Sequence, residues 1–291
     1  MSGSERTDLE SSDLAEEAVE QAGYLTSGEE RLYYVLHGVA RPRARILLAG
    51  PFASERPHSY IPWVRWARFL AARGVEALRF DYRGVGESTG AFEAMSFATW
   101  AEDVERMSRW LQERSPHVPL WLHGLGLGAL LAAHVFQKGL GEGLLLWAAP
   151  ASGNEVLREG LLRRMSMDYV TQGQGKRKTY EDYVATLQSG RSIEVEGYPW
   201  TKGLWEGAAG FTLTDLTGGP GDAGSLNGRP WKQVKLDQSK APLVAGLGLW
   251  QALNPRSVVG KVALNPDFSE FFEANLSGLL AAGRSSEGGR R

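Results

Sequence analysis

Four short apolar runs frame this chain, at residues 45–50, 75–80, 120–123 and 144–147. Helical spacing fills the gaps between them. Trp63, Trp66 and Phe69/Leu70 recur at helical intervals between Tyr60 and Arg73, and Gly74 closes that helix. Trp100, Val104, Met107 and Leu111 mark one face of a second helix, and residues 127–136 read as a third. Runs that are apolar throughout, without alternation, suit strands covered on both faces. The predicted class is therefore α/β, a mostly parallel sheet with helices on both faces. Residues 31–37 read as a first strand, 234–236 and 243–245 as late ones, and 268–280 as a closing helix.

The 291 residues suffice for one large domain with an insertion. Residues 1–22 are rich in Ser, Glu and Asp and read as a mobile acidic tail. The core would then occupy 23–150 and 229–283, interrupted by a polar, Gly-rich lid or cap at 151–228 and followed by a frayed tail at 284–291. Within the insertion, residues 156–167 look helical, while Lys176-Arg177-Lys178 and Gly218-Gly219-Pro220-Gly221 read as turn and loop. A net charge of −2 gives no electrostatic case for nucleic acid or an anionic membrane. No apolar run approaches the roughly 18 residues of a membrane span. A polar, acidic start is unlike a signal peptide, so a cytoplasmic location is expected. There is no cysteine, hence no disulfide, thiolate metal site or Cys nucleophile. The sequence has no H-x-x-x-H or H-E-x-x-H, so no metal and no cofactor is expected.

Three junctions carry more information. The first strand of the four ends in Gly50-Pro51-Phe52-Ala53-Ser54-Glu55, the second runs into Asp81-Tyr82-Arg83-Gly84-Val85-Gly86-Glu87-Ser88, and the third enters Gly124-Leu125-Gly126-Leu127-Gly128. In this order, over roughly residues 30–150, they resemble the α/β-hydrolase superfamily. That resemblance implies a nucleophile elbow, G-x-S-x-G, on a sharp strand-to-helix turn at 124–128. The serine position is Gly126, which has no side chain. The first junction is also similar to the P-P-F-A-E-E segment of α/β-hydrolase-like proteins associated with exosortase systems, whose elbow resembles residues 124–132. That likeness implies that a non-serine elbow is a habit of the group. The same glycines lack the G-x-G-x-x-G spacing of a dinucleotide site, and no Walker lysine follows.

The other triad members are missing too. All five histidines, His37, His58, His117, His123 and His134, precede the last 157 residues, where the fold would place the base. Asp237 could stand as the acid, with nothing to orient. Ser-His-Asp catalysis needs all its parts within hydrogen-bond reach.

What remains is anion stabilisation. The backbone N–H groups of Leu127, opening a helix, and of Phe52 are candidates for an oxyanion hole. His58 and Glu55, in the loop after the run at 45–50, are candidate acid/base residues at the pocket rim. Glu87 and Ser88 are weighed as pocket-facing, and Trp250 as a pocket wall. Asp81 and Arg83 suit loop anchoring, and His123 suits a satisfied core position. The first functional reading is a protein without classical serine-hydrolase activity that binds an acyl or apolar small molecule, with a protein partner left open. The alternative is an enzyme with a non-serine mechanism: an acid/base lyase, cyclase or isomerase, or a hydrolase activating water, with His58, Glu55 or Glu87 as base. A scaffolding role with a collapsed pocket is the third.

Overall fold

The computed structural model describes residues 19–52, 55–172, 178–213 and 223–234. The expected strands are present as β2 (Glu30–Gly38), β3 (Ala44–Ala49), β4 (Val75–Phe80), β5 (Leu120–Leu125) and β6 (Gly143–Trp147). They alternate with α1 (Glu55–Ala71), α2 (Phe97–Glu113) and α3 (Leu127–Gln137). One eight-stranded sheet results, in the order β1-β2-β4-β3-β5-β6-β10-β9. Strands β4, β3, β5, β6 and β10 run parallel, while β2 and β1 join antiparallel on one side and β9 on the other. This is the α/β-hydrolase fold.

Successive side chains of a strand point to opposite faces, which sorts the core into two layers. Ile46, Leu48, Ala77, Trp121, Leu145 and Trp147 pack against Trp63, Trp66 and Leu70 of α1. Leu47, Leu78, Leu122, Leu144 and Leu146 pack against α2 and α3 on the other face. α3 is apolar nearly all round, as expected of a helix closed in between sheet and neighbours. His123 lies in the α1 layer, with Nδ1 3.1 Å from the Leu145 carbonyl oxygen. Burial pushes its pKa down to about 3, so it is a neutral core histidine.

β1 (Val19–Ser27) differs from expectation: residues 19–22 belong to the sheet and not to the acidic tail. It is an outer strand, exposed along most of its length and carrying Gly23, so it lacks the apolar signature of the inner strands. Its register comes from the two-residue turn at Gly28, whose φ of +65° suits a hairpin. α1 begins five residues earlier than the apolar spacing predicts. Pro57 falls in its first turn, where a missing N–H breaks no helical bond.

The late strand is β10 (Arg229–Val234), parallel to β6, preceded by β9 (Ala223–Leu226). Residues 235–291, with the strand expected at 243–245 and the helix at 268–280, lie outside the described residues. Between β6 and β9 come α4 (Gly153–Gln172), α5 (Tyr180–Gln188), the hairpin β7 (Ile193–Val195) and β8 (Tyr198–Trp200), and α6 (Lys202–Gly207). Leu157, Leu161, Trp200 and Leu204 from these elements join the α2–α3 core. Among the described residues no helix is long and apolar enough to cross a membrane, and no cluster of His, Asp and Glu could hold a metal.

The loop after β4 is anchored as expected. Asp103 of α2, fully buried, accepts from Arg83 Nε at 2.5 Å and from the Arg83 backbone N–H at 2.9 Å. The same guanidinium donates to the Thr99 carbonyl at 2.9 Å and to Glu102 at 3.0 Å. Asp103→Ala removes two charge-assisted hydrogen bonds to a buried carboxylate but leaves Arg83 with Glu102 and the Thr99 carbonyl. It should therefore cost about 2–3 kcal/mol in urea denaturation; a loss under about 1 kcal/mol, the level of a surface pair, would refute this.

Candidate active site

The sheet order fixes where a site can form. β4 lies on one side of β3 and β5 on the other, so the chain reverses its winding between β3 and β5. In open α/β sheets, ligands bind at such a switch point, beyond the carboxyl ends of the strands. The segments leaving those two ends are Gly50–Phe52 and Gly124–Gly128.

The turn between β5 and α3 is sharp. Gly126 has φ 57° and ψ −126°, a left-handed φ at which any side chain is strained. Its flanking glycines are required by close approach. A Cβ on Gly124 would lie 2.4 Å from Ala129 Cα, and one on Gly128 would lie 2.2 Å from the Ala49 carbonyl oxygen. Leu127 is the first residue of α3, so its N–H has no acceptor within the helix.

The space above Gly126 is taken by a carboxylate. A Cβ placed on Gly126 would lie 2.6 Å from Glu55 Oε2 and 3.6 Å from Pro51 Cβ. A side-chain oxygen from the first turn of α1 thus stands about where a serine side chain would begin. Glu55 as a residue stays exposed, while its carboxyl end reaches in to Gly126. Desolvation raises its pKa above the ordinary glutamate value of 4.5; Arg163 opposes the shift, and Glu159 and Glu196 add to it. The first turn of α1 is tethered next door, where Arg56 donates to Asp81 Oδ1 at 2.6 Å.

Around this carboxyl is a cavity of about 150 Å³ lined by Phe52, Gly126, Leu127, Val156, Arg163 and Trp200, among others. Phe52 is a wall through its ring, which packs at 5.0 Å from Trp100 and 6.3 Å from Trp200. Glu155, Glu159 and Arg163 also line it, at i, i+4 and i+8 along α4. The sequence reading missed these three and Trp200. The four-residue spacing was the available signal, since such residues share a helix face.

The structure thus brings together Gly126, Leu127, Phe52 and Glu55. Glu55 and His58 belong to α1 and not to a loop, a correction that follows from the early helix start. Glu87 and Ser88 do not line this cavity. The Glu87 N–H donates to Asp81 Oδ2 at 3.0 Å and the Ser88 hydroxyl to the Asp81 carbonyl at 2.5 Å, so both close the loop after β4. Trp250, Asp237, Lys176 and Arg177 lie outside the described residues.

Residues 55–178, less than half of the chain, match the model of the family described as Serine aminopeptidase, S33. No curated protein matches the chain. Among solved structures it is similar to an alpha-beta serine hydrolase homologue from Coxiella burnetii, with 20% identity and a TM-score of 0.40, over 45% of this chain and 64% of that one. It is also similar to XC6422 from Xanthomonas campestris, described as an a/b serine hydrolase without lid, with 23% identity and a TM-score of 0.40, over 45% and 62%. The chain spans less than two thirds of both structures. Est1E from Butyrivibrio proteoclasticus, with ferulic acid bound, matches at 16% identity and a TM-score of 0.49, over 67% and 73%.

Proposed function

We propose that this chain is an enzyme of acyl chemistry in which Glu55 takes the place of the serine-centred triad. The observation that carries this reading is the Glu55 carboxyl against the bare Cα of Gly126, with its pKa raised by burial. It favours the non-serine alternative over ligand binding alone, because a base must reach the reacting proton directly or through one water. The substrate would be a short ester or thioester, since the cavity is about 150 Å³ and its walls include Phe52, Leu127, Val156 and Trp200. Residues 151–228 would act as a lid, supplying α4 and Trp200 as the outer wall. The likeness of the 50–55 segment to the exosortase-associated group fits an elbow without serine.

In the proposed reaction, Glu55 takes a proton from a water molecule as its oxygen attacks the acyl carbon. The carbonyl oxygen becomes an oxyanion and accepts from the Leu127 and Phe52 N–H groups. As the tetrahedral intermediate collapses, the leaving alkoxide or thiolate receives the proton from Glu55. An acid and an alcohol or thiol are released, and the carboxylate is restored.

The test is turnover of acetyl to butyryl esters and thioesters, read by mass spectrometry, for wild type beside Glu55→Gln. Product from wild type and at least about 100-fold less from the variant is expected; equal turnover by both overturns the reading.

Gly126→Ser is expected to lower turnover and not to create a serine hydrolase. Its Cβ would displace Glu55 Oε2, which lies 2.6 Å away, and serine is strained at this φ and ψ. The sequence after His134 contains no histidine to activate the hydroxyl. A fluorophosphonate probe should leave the variant unlabelled; fast stoichiometric labelling would contradict this.

A further inference from the structure

The hairpin that carries Trp200 turns through Glu196-Gly197, at φ 53° and 84°. Both central residues are left-handed, a turn in which Asn, Asp and Gly are favoured and Glu is not. The Glu196 carboxylate holds Arg163 Nε at 2.5 Å. Glu159 Oε2 is 3.9 Å from Arg163 Nη1, too far for a hydrogen bond. Arg163 is the one cation among the described residues lining the cavity. The charged groups facing Glu55 are Glu155, Glu159 and Arg163 from α4 and Glu196 from the hairpin. Phe52, Gly126 and Leu127, from the other two elements, bring no side-chain charge.

Resting on the reading of Glu55 as the base, we propose that Glu196 and Arg163 form an electrostatic latch on the active site. Glu196 fixes the guanidinium across the cavity from Glu55 without letting it ion-pair there, and so regulates the base. A disfavoured residue in the turn is then explained: a glutamate reaches Arg163, and a better turn residue would not. Arg163 is a positioning residue, acting on substrate only through the carboxyl it faces. Its field favours the Glu55 carboxylate against Glu159 and Glu196, in keeping with the opposing pull of Arg163 on that group. Freed from Glu196, the same side chain could swing onto Glu55 and tie up the base.

The two halves of the latch should shift Glu55 in opposite directions. Full-length protein labelled with 13C at glutamate carboxyl carbons is titrated by NMR, with Glu55→Gln identifying the Glu55 signal. Arg163→Gln should move the Glu55 midpoint up, by about half a pH unit or more, because Glu55 loses the cation that opposes Glu159 and Glu196. Glu196→Asp, a favoured turn residue that keeps the charge but is one methylene too short for the Arg163 contact, should move it down and reduce turnover at neutral pH. Arg163→Lys should restore the midpoint toward wild type, since the charge returns. Unchanged midpoints in Arg163→Gln and Glu196→Asp, or shifts of the same sign, overturn the latch. The titration needs no substrate, so the two readings fail separately. Full turnover by Glu55→Gln removes the base, whereas a dead Glu55→Gln with unmoved midpoints removes only the latch.

Discussion

Glu55→Gln is expected to cut turnover by about 10²–10⁴-fold, the range that a lost general base costs. The amide keeps the size and hydrogen bonding of the side chain but cannot take a proton. For wild type, kcat/KM should rise with pH as Glu55 ionises and then level off. The midpoint of that rise should lie above the ordinary glutamate value of 4.5, because burial disfavours the charged form. Any residual rate of Glu55→Gln should lack this limb. Stability should move the other way. The folded-state pKa is raised, so the folded protein holds this proton more tightly than the unfolded chain. The stabilising contribution is complete below the unfolded pKa and is lost as pH rises through the folded one. Glu55→Gln should therefore melt at or above the wild-type Tm at pH 7, with the difference vanishing in acid, near pH 3–4 by the ordinary glutamate range of roughly 4.3. A variant that is inactive and also less stable at pH 7 would indicate a structural role for the carboxyl. The predicted pattern is instead the exchange of stability for activity expected of a functional group.

Gly128→Ala is expected to destabilise the fold by about 3 kcal/mol or more, at the upper end for overpacking. Its Cβ would lie 2.2 Å from the Ala49 carbonyl oxygen and 2.4 Å from that of Gly50. Both are backbone atoms at the end of β3, so no rotamer change can relieve the clash. α3 would have to move away from the sheet, taking Leu127 and the turn at Gly126 with it. Gly203 in α6 is the control, since its nearest neighbour would be Thr201 Oγ1 at 3.8 Å. Gly203→Ala should be neutral or stabilise by up to about 1 kcal/mol, the propensity gain of alanine in a helix. Urea midpoints for the pair decide the matter: similar losses at both positions would show that the packing at Gly128 is looser than these distances require.

How much of this was legible in the residues differs from element to element. The inner strands β3 to β6 were readable because a strand covered on both faces must be apolar at every position, whatever its partners. The sharp strand-to-helix turn at 124–128 was readable because a strand, a run of alternating glycines and an apolar helix allow few other connections. β1 was not, because an outer strand owes its pairing to β2 and not to its own composition. Arg163 and Trp200 were hidden for a related reason: α4 and the β7–β8 hairpin meet the turn at Gly126 only through packing. The chain alone determined the sheet, its two apolar layers and the lack of a serine at position 126. Only the tertiary structure decided what fills that place. Setting β3 beside β5 brings the start of α1 against a turn some seventy residues further along the chain, and no local pattern encodes that distance. The local sequence specifies which residues must leave water; the strand order specifies which of them meet, and here it brings the Glu55 carboxyl to Gly126.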